Sequence, residues 1–469
     1  MTLNPRRLIR RIILCATLMV PAHSNAENLN PSEGKPNFII ILTDDQGYQD
    51  LGVFGSPNIQ TPNIDQMAHE GRIFTSFYVA SPLCSASRAA LLTGCYPKRL
   101  GMEKPVFFPQ DNTGVHQDEV TLADMLKPAG YTTACIGKWH VGHRKPFLPT
   151  SQGFDYYYGI PYSNDMNHPD NSGGKPWGKW DACWKSQEEM VKRWNTPLLE
   201  NETMIELPVD QRTITRRYTD KAVEFITANK EKPFFLYLPH SMPHVPLFVP
   251  DEVYDPDPMN AYKTVIEHID AQVGRVVDTI KGLGLAEKTT IIFTSDNGPW
   301  LAESIGHHGG SAKPLNGGKG WFMEGGIRVP CVMWGPGRIP AGTTTDEMAS
   351  TLDLFPTLAH LAGVEPVTRG PIDGLDISAF ILGEETSPRS ELLYYSGQKL
   401  VGMRKGDWKI LGRNLNKNPA LYHLAEDLGE RTNRAKELPQ KVAELKARAE
   451  ALDARISAEK RTLGVDSPE

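Results

Sequence analysis

Short, continuous apolar runs alternate along this chain with stretches of helical periodicity, and this alternation constrains the fold more than any other feature. Four of the runs lie at 38–42, 131–136, 234–238 and 289–294, and helical patterns include 120–126 and 262–283. A strand of a parallel sheet is covered on both faces, so it is apolar throughout rather than at alternate positions. The pattern therefore predicts an α/β fold with a large, mixed but mostly parallel sheet flanked by helices.

The alternation changes after about residue 370. Three short runs at 391–395, 400–404 and 408–411 predict antiparallel strands, and apolar positions at helical spacing predict a polar helix over 438–461. With 469 residues, 40% of them hydrophobic, the chain is long enough for one large core and a smaller domain. We expect a main domain at 27–370 and a C-terminal α+β subdomain with an antiparallel sheet and a terminal helix at 371–469.

The first 26 residues have the composition of a signal peptide. Four arginines (Arg6, Arg7, Arg10 and Arg11) precede an apolar run at 12–20 and the segment Ser24-Asn25-Ala26. The run is shorter than the roughly 20 apolar residues that cross a bilayer. We therefore expect export to the periplasm or the exterior, with cleavage near Ala26 and no stable membrane anchor.

Charge and cysteine content exclude some classes of function. Removing residues 1–26 takes away four arginines and no acidic residue, which changes the net charge from −6 to −10. An acidic chain of this kind is not expected to bind nucleic acid, and a site for an anion would need cations gathered locally. The remaining cysteines form an odd, sparse set that predicts no disulfide framework and allows no pairing to be assigned: Cys84, Cys95, Cys135, Cys183 and Cys331.

Two pairs of polar residues directly follow two of the apolar runs. Asp44 and Asp45 come after the first run, and Asp296 and Asn297 come after the run at 289–294. Because ligands collect beyond the carboxyl ends of parallel strands, these four side chains are expected on one edge of the sheet. Carboxylate and amide oxygens are preferred by Ca²⁺ or Mg²⁺ over zinc. The sequence therefore predicts a site for a hard cation.

A cysteine and an arginine one helical turn apart open a predicted helix at 84–94. Cys84 is a potential nucleophile, and Arg88 is a fixed cation beside it. The start of a helix also presents free backbone N–H groups and the positive end of the helix dipole. This arrangement suits an anionic substrate.

Together these segments resemble the type I sulfatases, and the chain is similar to arylsulfatase A-type enzymes. The motifs that carry the resemblance lie at 37–48, 61–65, 84–94, 137–142, 295–298 and 318–320, and family-like sequence extends to 421–424. The resemblance implies an alkaline phosphatase-like fold with the sulfatase catalytic domain at 27–370. It also implies hydrolysis of sulfate esters, Ca²⁺ as the bound metal, and conversion of Cys84 to formylglycine (3-oxoalanine).

The resemblance also implies a role for each matching residue. The metal ligands would be Asp44, Asp45, Asp296, Asn297 and the formylglycine oxygen at Cys84. One hydroxyl of the hydrated aldehyde would attack sulfur, and loss of the proton from the other would release sulfate. Arg88 would hold and activate this diol, Lys138 would contact the sulfate or the diol, and His140 would be the base. His244 and Lys319 would bind sulfate and act at the leaving oxygen, and a protonated His244 would add a cation. Ser163 would be either a further substrate contact or a hydrogen-bonded loop serine, and His240 either a structural residue or one that contacts a site residue from outside the site.

One position departs from the family's usual modification motif. Ala86 stands where that motif has proline. Alanine variants resemble substrates of the radical-dependent, anaerobic type of maturing enzyme. The expected partner that forms formylglycine is therefore a maturase of this type.

The substrate is expected to be a sulfated carbohydrate, with small aryl sulfate esters also hydrolysed. The segment 164–199 contains four of the nine tryptophans, namely Trp177, Trp180, Trp184 and Trp194. They form either a carbohydrate-binding wall or a lid packed by its own aromatic residues. His307 and His308 are candidates for lining the entrance to the same site. Two alternatives stay open: a phosphomonoester or phosphonate hydrolase of the same superfamily, and a secreted protein that binds sulfated glycans without turnover.

Overall fold

The computed structural model describes residues 34–167, 184–301 and 309–466. The predicted signal peptide, Trp177, Trp180, Cys183, His307 and His308 lie outside these residues. The strands are β1 (Asn37–Thr43), β2 (Arg72–Tyr78), β3 (Thr113–Gly114), β4 (Thr132–Ile136), β5 (Tyr156–Gly159), β6 (Leu198–Glu200), β7 (Thr203–Glu206), β8 (Phe234–Pro239), β9 (Thr289–Ser295), β10 (Arg328–Trp334), β11 (Thr343–Thr345), β12 (Ala349–Ser350), β13 (Glu391–Ser396), β14 (Lys399–Lys405), β15 (Trp408–Leu411), β16 (Ala420–His423) and β17 (Gly464–Val465). The α-helices are α1 (Pro62–His69), α2 (Cys84–Thr93), α3 (Leu122–Leu126), α4 (Gln187–Val191), α5 (Ile214–Ala228), α6 (Ala261–Gly282), α7 (Glu324–Ile327), α8 (Leu354–Leu361), α9 (Ser378–Ile381) and α10 (Pro439–Ala458).

The predicted α/β fold is confirmed by a large mixed sheet. Within the described ranges this sheet has eleven strands in the order β11-β2-β10-β9-β1-β8-β4-β5-β6-β7, and β12 also pairs with β2. Its central strands β9, β1, β8, β4 and β5 are mutually parallel. The antiparallel pairings lie toward the two sides of the sheet, at β10 on one side and at β6 and β7 on the other.

The central strand shows why these runs are apolar at every position. All seven residues of β1 are buried. Phe38, Ile40 and Leu42 pack into the core on one face of the sheet. Ile39 and Ile41 pack into the core on the other face, which α6 also covers. Because both faces of the strand are covered, residues 38–42 are all apolar, and the polar Asn37 and Thr43 lie at the two ends of the strand.

Polar residues explain where some helices begin. The sequence predicts a helix from residue 120, but α3 begins at Leu122 because Thr121 is its N-cap. The Thr121 hydroxyl accepts a hydrogen bond from the Asp124 amide, and the Asp124 carboxylate accepts one from the Thr121 amide. This reciprocal capping stabilises the first turn of the helix.

The smaller sheet has the order β13-β14-β15-β16 and is antiparallel throughout, as the sequence predicts. The last helix, α10, buries Leu445, Ala449 and Ile456, which follow helical spacing. These side chains belong to the same apolar core as the residues above one face of the large sheet. The C-terminal region is therefore packed onto the rest of the chain through a shared core.

A buried network of charged residues also joins the two sheets. Lys409 of β15 is completely buried, and its ammonium lies 2.8 Å from Glu324 at the start of α7 and 2.8 Å from Glu430. Glu430 in turn accepts a hydrogen bond from the Glu324 backbone amide at 2.6 Å. Arg328 and Arg404 lie around the same Glu324 carboxylate. Buried charges of this kind require partners, so the network depends on all its members.

Two of the tryptophans in the polar segment are core residues. Trp184 and Trp194 are buried in the core beside α6, and the indole N–H of Trp184 donates to the carbonyl of Asp255. These two rings therefore pack inside the protein and do not form a carbohydrate-binding wall.

In the described part of the chain, four cysteines are buried free thiols, namely Cys84, Cys95, Cys135 and Cys331. Among the same residues no helix combines the length and the apolar character needed to cross a bilayer.

Replacing Lys409 with methionine tests the buried network. Lys409→Met leaves two buried carboxylates with one cation fewer, and we expect a loss of about 3 kcal/mol in the free energy of unfolding. Urea denaturation measures this loss. Lys441→Met is the matched control, because Lys441 pairs with Glu444 at 2.6 Å on the surface, and it should change stability by less than about 0.5 kcal/mol. Equal changes in the two variants would contradict the account of the network.

Candidate active site

Five neighbouring parallel strands end at one edge of the large sheet and bring the candidate residues together. Thr43 of β1 is in register with Ser295 of β9, so the two acidic pairs that follow these strands lie side by side. The strands β8, β4 and β5 end at the same edge. They lead to His244, to Lys138 with His140, and to Ser163, respectively. The topology therefore collects residues that are up to about 250 positions apart in the sequence.

Three carboxylates are buried at this edge, those of Asp44, Asp45 and Asp296. The Asp45 amide donates to the Asp296 carboxylate at 3.3 Å. Burial raises the pKa of Asp45 to about 7, although Lys319 opposes the shift. Burial alone would also raise the pKa of Asp44, but the surrounding cations, Lys138 first, hold it well below its ordinary value. The pKa values of these buried carboxylates thus depend on the cations around them.

Asp45 has a backbone φ of 66°, in the left-handed region. A residue other than glycine is uncommon there, and such backbone conformations cluster at functional sites. His140 shares the feature with a φ of 63°. The segment from Gly137 to His140 is therefore not extended throughout.

The side-chain amide of Asn297 fits a cation-binding role. Its Nδ2 donates to Asp45 Oδ1 at 2.7 Å and to the Gly298 carbonyl at 2.9 Å. Its Oδ1 is buried, and no hydrogen-bond partner for it occurs among the described residues. A buried oxygen beside carboxylates, without a donor of its own, matches the oxygen ligands that Ca²⁺ and Mg²⁺ take.

The ligand atoms of four residues lie within 4.8 Å of one another, and they belong to Asp44, Asp45, Cys84 and His244. Asp296 is instead engaged by Arg88, whose Nε and Nη2 lie 2.9 and 2.8 Å from Asp296 Oδ2. The residues at this edge are thus compatible with a hard cation, with His244 adjacent to the acidic set.

Helix α2 places Cys84 at its first position. All ten residues of this helix are buried. The Cys84 sulfur lies 3.5 Å from Asp44 Oδ1. Burial raises the pKa of the Cys84 thiol far above its ordinary value, although Lys138 and Lys319 oppose the shift. An unmodified Cys84 is therefore held as a thiol, which is a poor nucleophile.

Arg88 lies one turn further along α2 and is completely buried. Besides its two contacts with Asp296, it donates from Nη1 to the carbonyl of Lys138 at 2.7 Å. Its Nη2 also lies 3.6 Å from Asp44. The guanidinium therefore links α2 to the ends of β1, β9 and β4.

The loop after β4 approaches its neighbours so closely that two positions require glycine. A Cβ atom at Gly137, whose φ is +136°, would lie 1.9 Å from the Pro239 carbonyl oxygen. A Cβ atom at Gly159 would lie 1.8 Å from the Gly137 carbonyl oxygen. Glycine alone allows these approaches, so the loop that carries Lys138 and His140 packs directly against the ends of β8 and β5.

Lys138 faces the acidic cluster. Its ammonium forms an ion pair with Asp44 and donates to Ser163 Oγ at 3.3 Å. Ser163 Oγ also lies 3.5 Å from His244 Nε2. The sequence-derived candidates Lys138, Ser163 and His244 are thus in one cluster.

The hydrogen bond of His140 fixes its tautomer. Its Nε2 lies 3.0 Å from the carbonyl oxygen of Phe107 and must donate to it. Its Nδ1 is buried and has no partner within the part of the chain described. Burial, with the nearby charges of Lys138 and Arg88, lowers the pKa of His140 well below its ordinary value. His140 is therefore a neutral imidazole with an unprotonated Nδ1.

His244 and Lys319 both approach Asp45. The Lys319 ammonium is 2.8 Å from Asp45 Oδ2, and His244 Nε2 is 3.6 Å from the same oxygen. His244 Nδ1 lies 2.6 Å from the Val245 carbonyl oxygen and donates to it. Burial and Lys319 lower the pKa of His244 well below its ordinary value. The cations that contact the acidic cluster are therefore Arg88, Lys138 and Lys319.

Trp300 is a residue of this site that the sequence analysis missed. The Lys319 ammonium lies over its ring, 4.5 Å from the centroid. Its position three residues after Asn297 was the available signal, because it places the ring just beyond the end of β9. His240, in contrast, is completely buried beside Tyr218, consistent with the expected structural role.

Comparison with known proteins gives consistent matches over most of the chain. The Sulfatase family model matches residues 36–364. N-acetylgalactosamine-6-sulfatase of Canis lupus familiaris is 35% identical over 435 residues, covering 84% of this chain and 81% of the relative. Arylsulfatase A of Homo sapiens is 36% identical over 428 residues, covering 85% and 83%. The crystal structure of Ps i-CgsB in complex with k-i-k-neocarrahexaose matches with a TM-score of 0.77 and 31% identity, covering 91% of this chain and 94% of that chain.

Replacing Arg88 with lysine tests whether the site depends on a guanidinium that contacts several acceptors at once. Arg88→Lys keeps the charge but cannot contact Asp296 twice and the Lys138 carbonyl at once. We expect a loss of about 2 kcal/mol in the free energy of unfolding, measured by urea denaturation. Arg216→Lys is the matched control, since Arg216 pairs with Glu252 at 2.6 Å on the surface. Unchanged stability of Arg88→Lys would show that the contacts of the guanidinium are dispensable.

Proposed function

Because this chain belongs to the sulfatase family and is a sulfuric ester hydrolase, we propose that it removes sulfate from a sulfated carbohydrate. The proposal includes a formylglycine made from Cys84 and a calcium ion held at the adjacent carboxylates. The observation that carries it is the convergence of three buried carboxylates, three cations and Cys84 at one edge of the sheet. A sulfate ester reacts slowly unless its oxygens are neutralised, a nucleophile is positioned and the leaving oxygen is stabilised.

The residues that would hold the metal are Asp44, Asp45, Asp296, Asn297 and the modified Cys84. A calcium ion bound there supplies positive charge that neutralises the sulfuryl oxygens. The unpartnered Oδ1 of Asn297 supports this assignment, since it leaves one oxygen ready to accept a cation. The ion pairs of Lys138 and Lys319 with these carboxylates limit the repulsion among the acidic groups.

A formylglycine at position 84 would supply, in its hydrated form, one hydroxyl to attack sulfur while the S–O bond to the alcohol breaks. Loss of the proton from the second hydroxyl would then break the other C–O bond, release sulfate and restore the aldehyde. Arg88 would hold this group, because its guanidinium is fixed one helical turn from residue 84 by Asp296 and the Lys138 carbonyl. His140 would accept the proton at Nδ1. Its Nε2 is already committed to the Phe107 carbonyl, which leaves Nδ1 as the basic atom.

The remaining residues would bind sulfate and stabilise the leaving oxygen. Lys138 and Ser163, 3.3 Å apart, would contact a sulfuryl oxygen together. Lys319 and His244, which both approach Asp45 Oδ2, would act at the leaving oxygen. His244 donates from Nδ1 to Val245, so Nε2 is the atom that would have to take up a proton before it could pass one to the leaving oxygen.

A carbohydrate substrate is supported by what the relatives are called. One relative is named for the sulfated sugar N-acetylgalactosamine, and one matched structure contains a neocarrahexaose. We propose a sulfated carbohydrate as the physiological substrate and expect aryl sulfates to be hydrolysed as well.

We further propose the maturation and location of the protein. The sequence of residues 1–26 supports export to the periplasm or beyond, with cleavage near Ala26. Ala86 supports a maturase of the anaerobic, radical type, and the burial of the whole of α2 supports modification before the chain folds. We assign 27–370 as the catalytic domain and 371–469 as the C-terminal subdomain, a division supported by the position of every proposed site residue before 370.

The modification of Cys84 and the activity are tested together. In protein produced with a maturase, the tryptic peptide that contains Cys84 should be lighter by about 18 Da, the change from thiol to aldehyde. This protein should release inorganic sulfate from nitrophenyl sulfate much faster than it releases phosphate from nitrophenyl phosphate. Cys84→Ala should lower kcat for the sulfate ester by at least about 10³-fold.

Cys331→Ala is the matched control, because Cys331 is a buried thiol of β10 outside the site, and it should retain kcat. A fully converted protein that released no sulfate from aryl or carbohydrate esters would contradict the proposed function. Binding of a sulfated oligosaccharide without release of sulfate would favour a glycan-binding protein instead.

A further inference from the structure

Trp300 lies between the two residues that the proposed function places at the leaving oxygen. The ammonium of Lys319 lies 4.5 Å from the centroid of the indole ring. The imidazole of His244 lies against the same indole in an edge-on arrangement, with ring centroids 5.3 Å apart and an interplanar angle of 61°. Trp300 is half-buried, so it packs against the core and also reaches the protein surface.

The backbone keeps Trp300 and Lys319 at a fixed separation. The Lys319 amide donates to the carbonyl of Pro299, the residue before Trp300, at 2.9 Å. A Cβ atom at Gly318 would lie 2.4 Å from the same carbonyl oxygen. The two segments are therefore in direct backbone contact, which brings the indole of Trp300 within reach of the Lys319 ammonium.

The position of the Lys319 ammonium is set by two contacts, one with Asp45 and one with Trp300. Its ion pair with Asp45 draws the ammonium toward the acidic cluster. Its contact with the face of Trp300 holds the ammonium on the side of His244, through the attraction of a cation to an aromatic ring. Packing of the His244 ring against the indole restricts rotation of the imidazole. One aromatic side chain thus contacts both the Lys319 ammonium and the His244 imidazole and sets their relative position.

We propose that Trp300 is a positioning residue that holds Lys319 and His244 together at the leaving-group oxygen. This inference rests on the proposed sulfatase function. It has a specific consequence, because stabilisation of the leaving oxygen matters most when the departing alcohol is weakly acidic. Loss of Trp300 should therefore impair hydrolysis of sugar sulfates more than hydrolysis of nitrophenyl sulfate.

The experiment compares Trp300→Leu and Trp300→Phe on aryl sulfates of graded leaving-group acidity and on a sulfated monosaccharide. For Trp300→Leu we expect kcat to fall about tenfold with the poorest leaving groups and little with nitrophenyl sulfate. The dependence of kcat on leaving-group acidity should thus become steeper. Trp300→Phe keeps an aromatic face and should restore most of the loss.

Trp408→Leu is the matched control, since Trp408 packs against His423 in the C-terminal sheet with ring centroids 4.4 Å apart. It should leave the dependence on the leaving group unchanged. A loss in Trp300→Leu that is equal for all leaving groups, or that appears in KM alone, would overturn the inference. The melting temperature of each variant shows whether the fold is retained.

The wild-type enzyme separates the two claims. If fully converted wild-type protein releases no sulfate, the proposed function itself fails. If the wild type is active and Trp300→Leu shows an unchanged dependence on the leaving group, only the role of Trp300 fails.

Discussion

The burial of three carboxylates beside one another at the end of a parallel sheet is the constraint on which the site depends. Asp44, Asp45 and Asp296 are almost completely excluded from water, and buried charges of one sign are strongly destabilising unless they are compensated. Arg88, Lys138 and Lys319 supply that compensation. The cluster is nearly balanced on its own, so a divalent cation would give it a positive surplus. A positive, water-excluded pocket is what binding of a sulfate ester anion requires.

The segments that carry these residues are held together through backbone contacts. The Gly298 amide donates to the Gly326 carbonyl at 3.1 Å, and the Gly320 amide donates to the Pro82 carbonyl at 2.9 Å. The first bond ties α7 to the end of β9, and the second ties the loop that carries Lys319 to the entry of α2. Glu324, which begins α7 next to Gly326, is in turn held by Lys409 of the C-terminal sheet. Through the contact of Lys409 with Glu324, the smaller sheet therefore helps to hold α7 and the adjoining active-site loops in place.

The sequence predicts features that follow from local patterns and from the geometry of parallel strands. Asp44 and Asn297 could be assigned to one site because polar residues directly after parallel strands meet at the same edge. The tautomer of His140 could not, because it is set by a carbonyl 33 residues away. The contact of Trp300 with Lys319 and the burial of Lys409 beside Glu324 likewise depend on tertiary packing, for which the sequence has no period or spacing.

Calcium binding is the most direct test of the central claim, that the buried carboxylates hold a cation beside residue 84. Calcium bound per chain should be measured by equilibrium dialysis on protein in which Cys84 has been converted. We expect one calcium ion in the wild type and in Asp278→Asn, which alters an exposed carboxylate of α6. We expect weak or no binding in Asp45→Asn. Absence of bound calcium in the wild type, or equal binding in Asp45→Asn, would contradict the account.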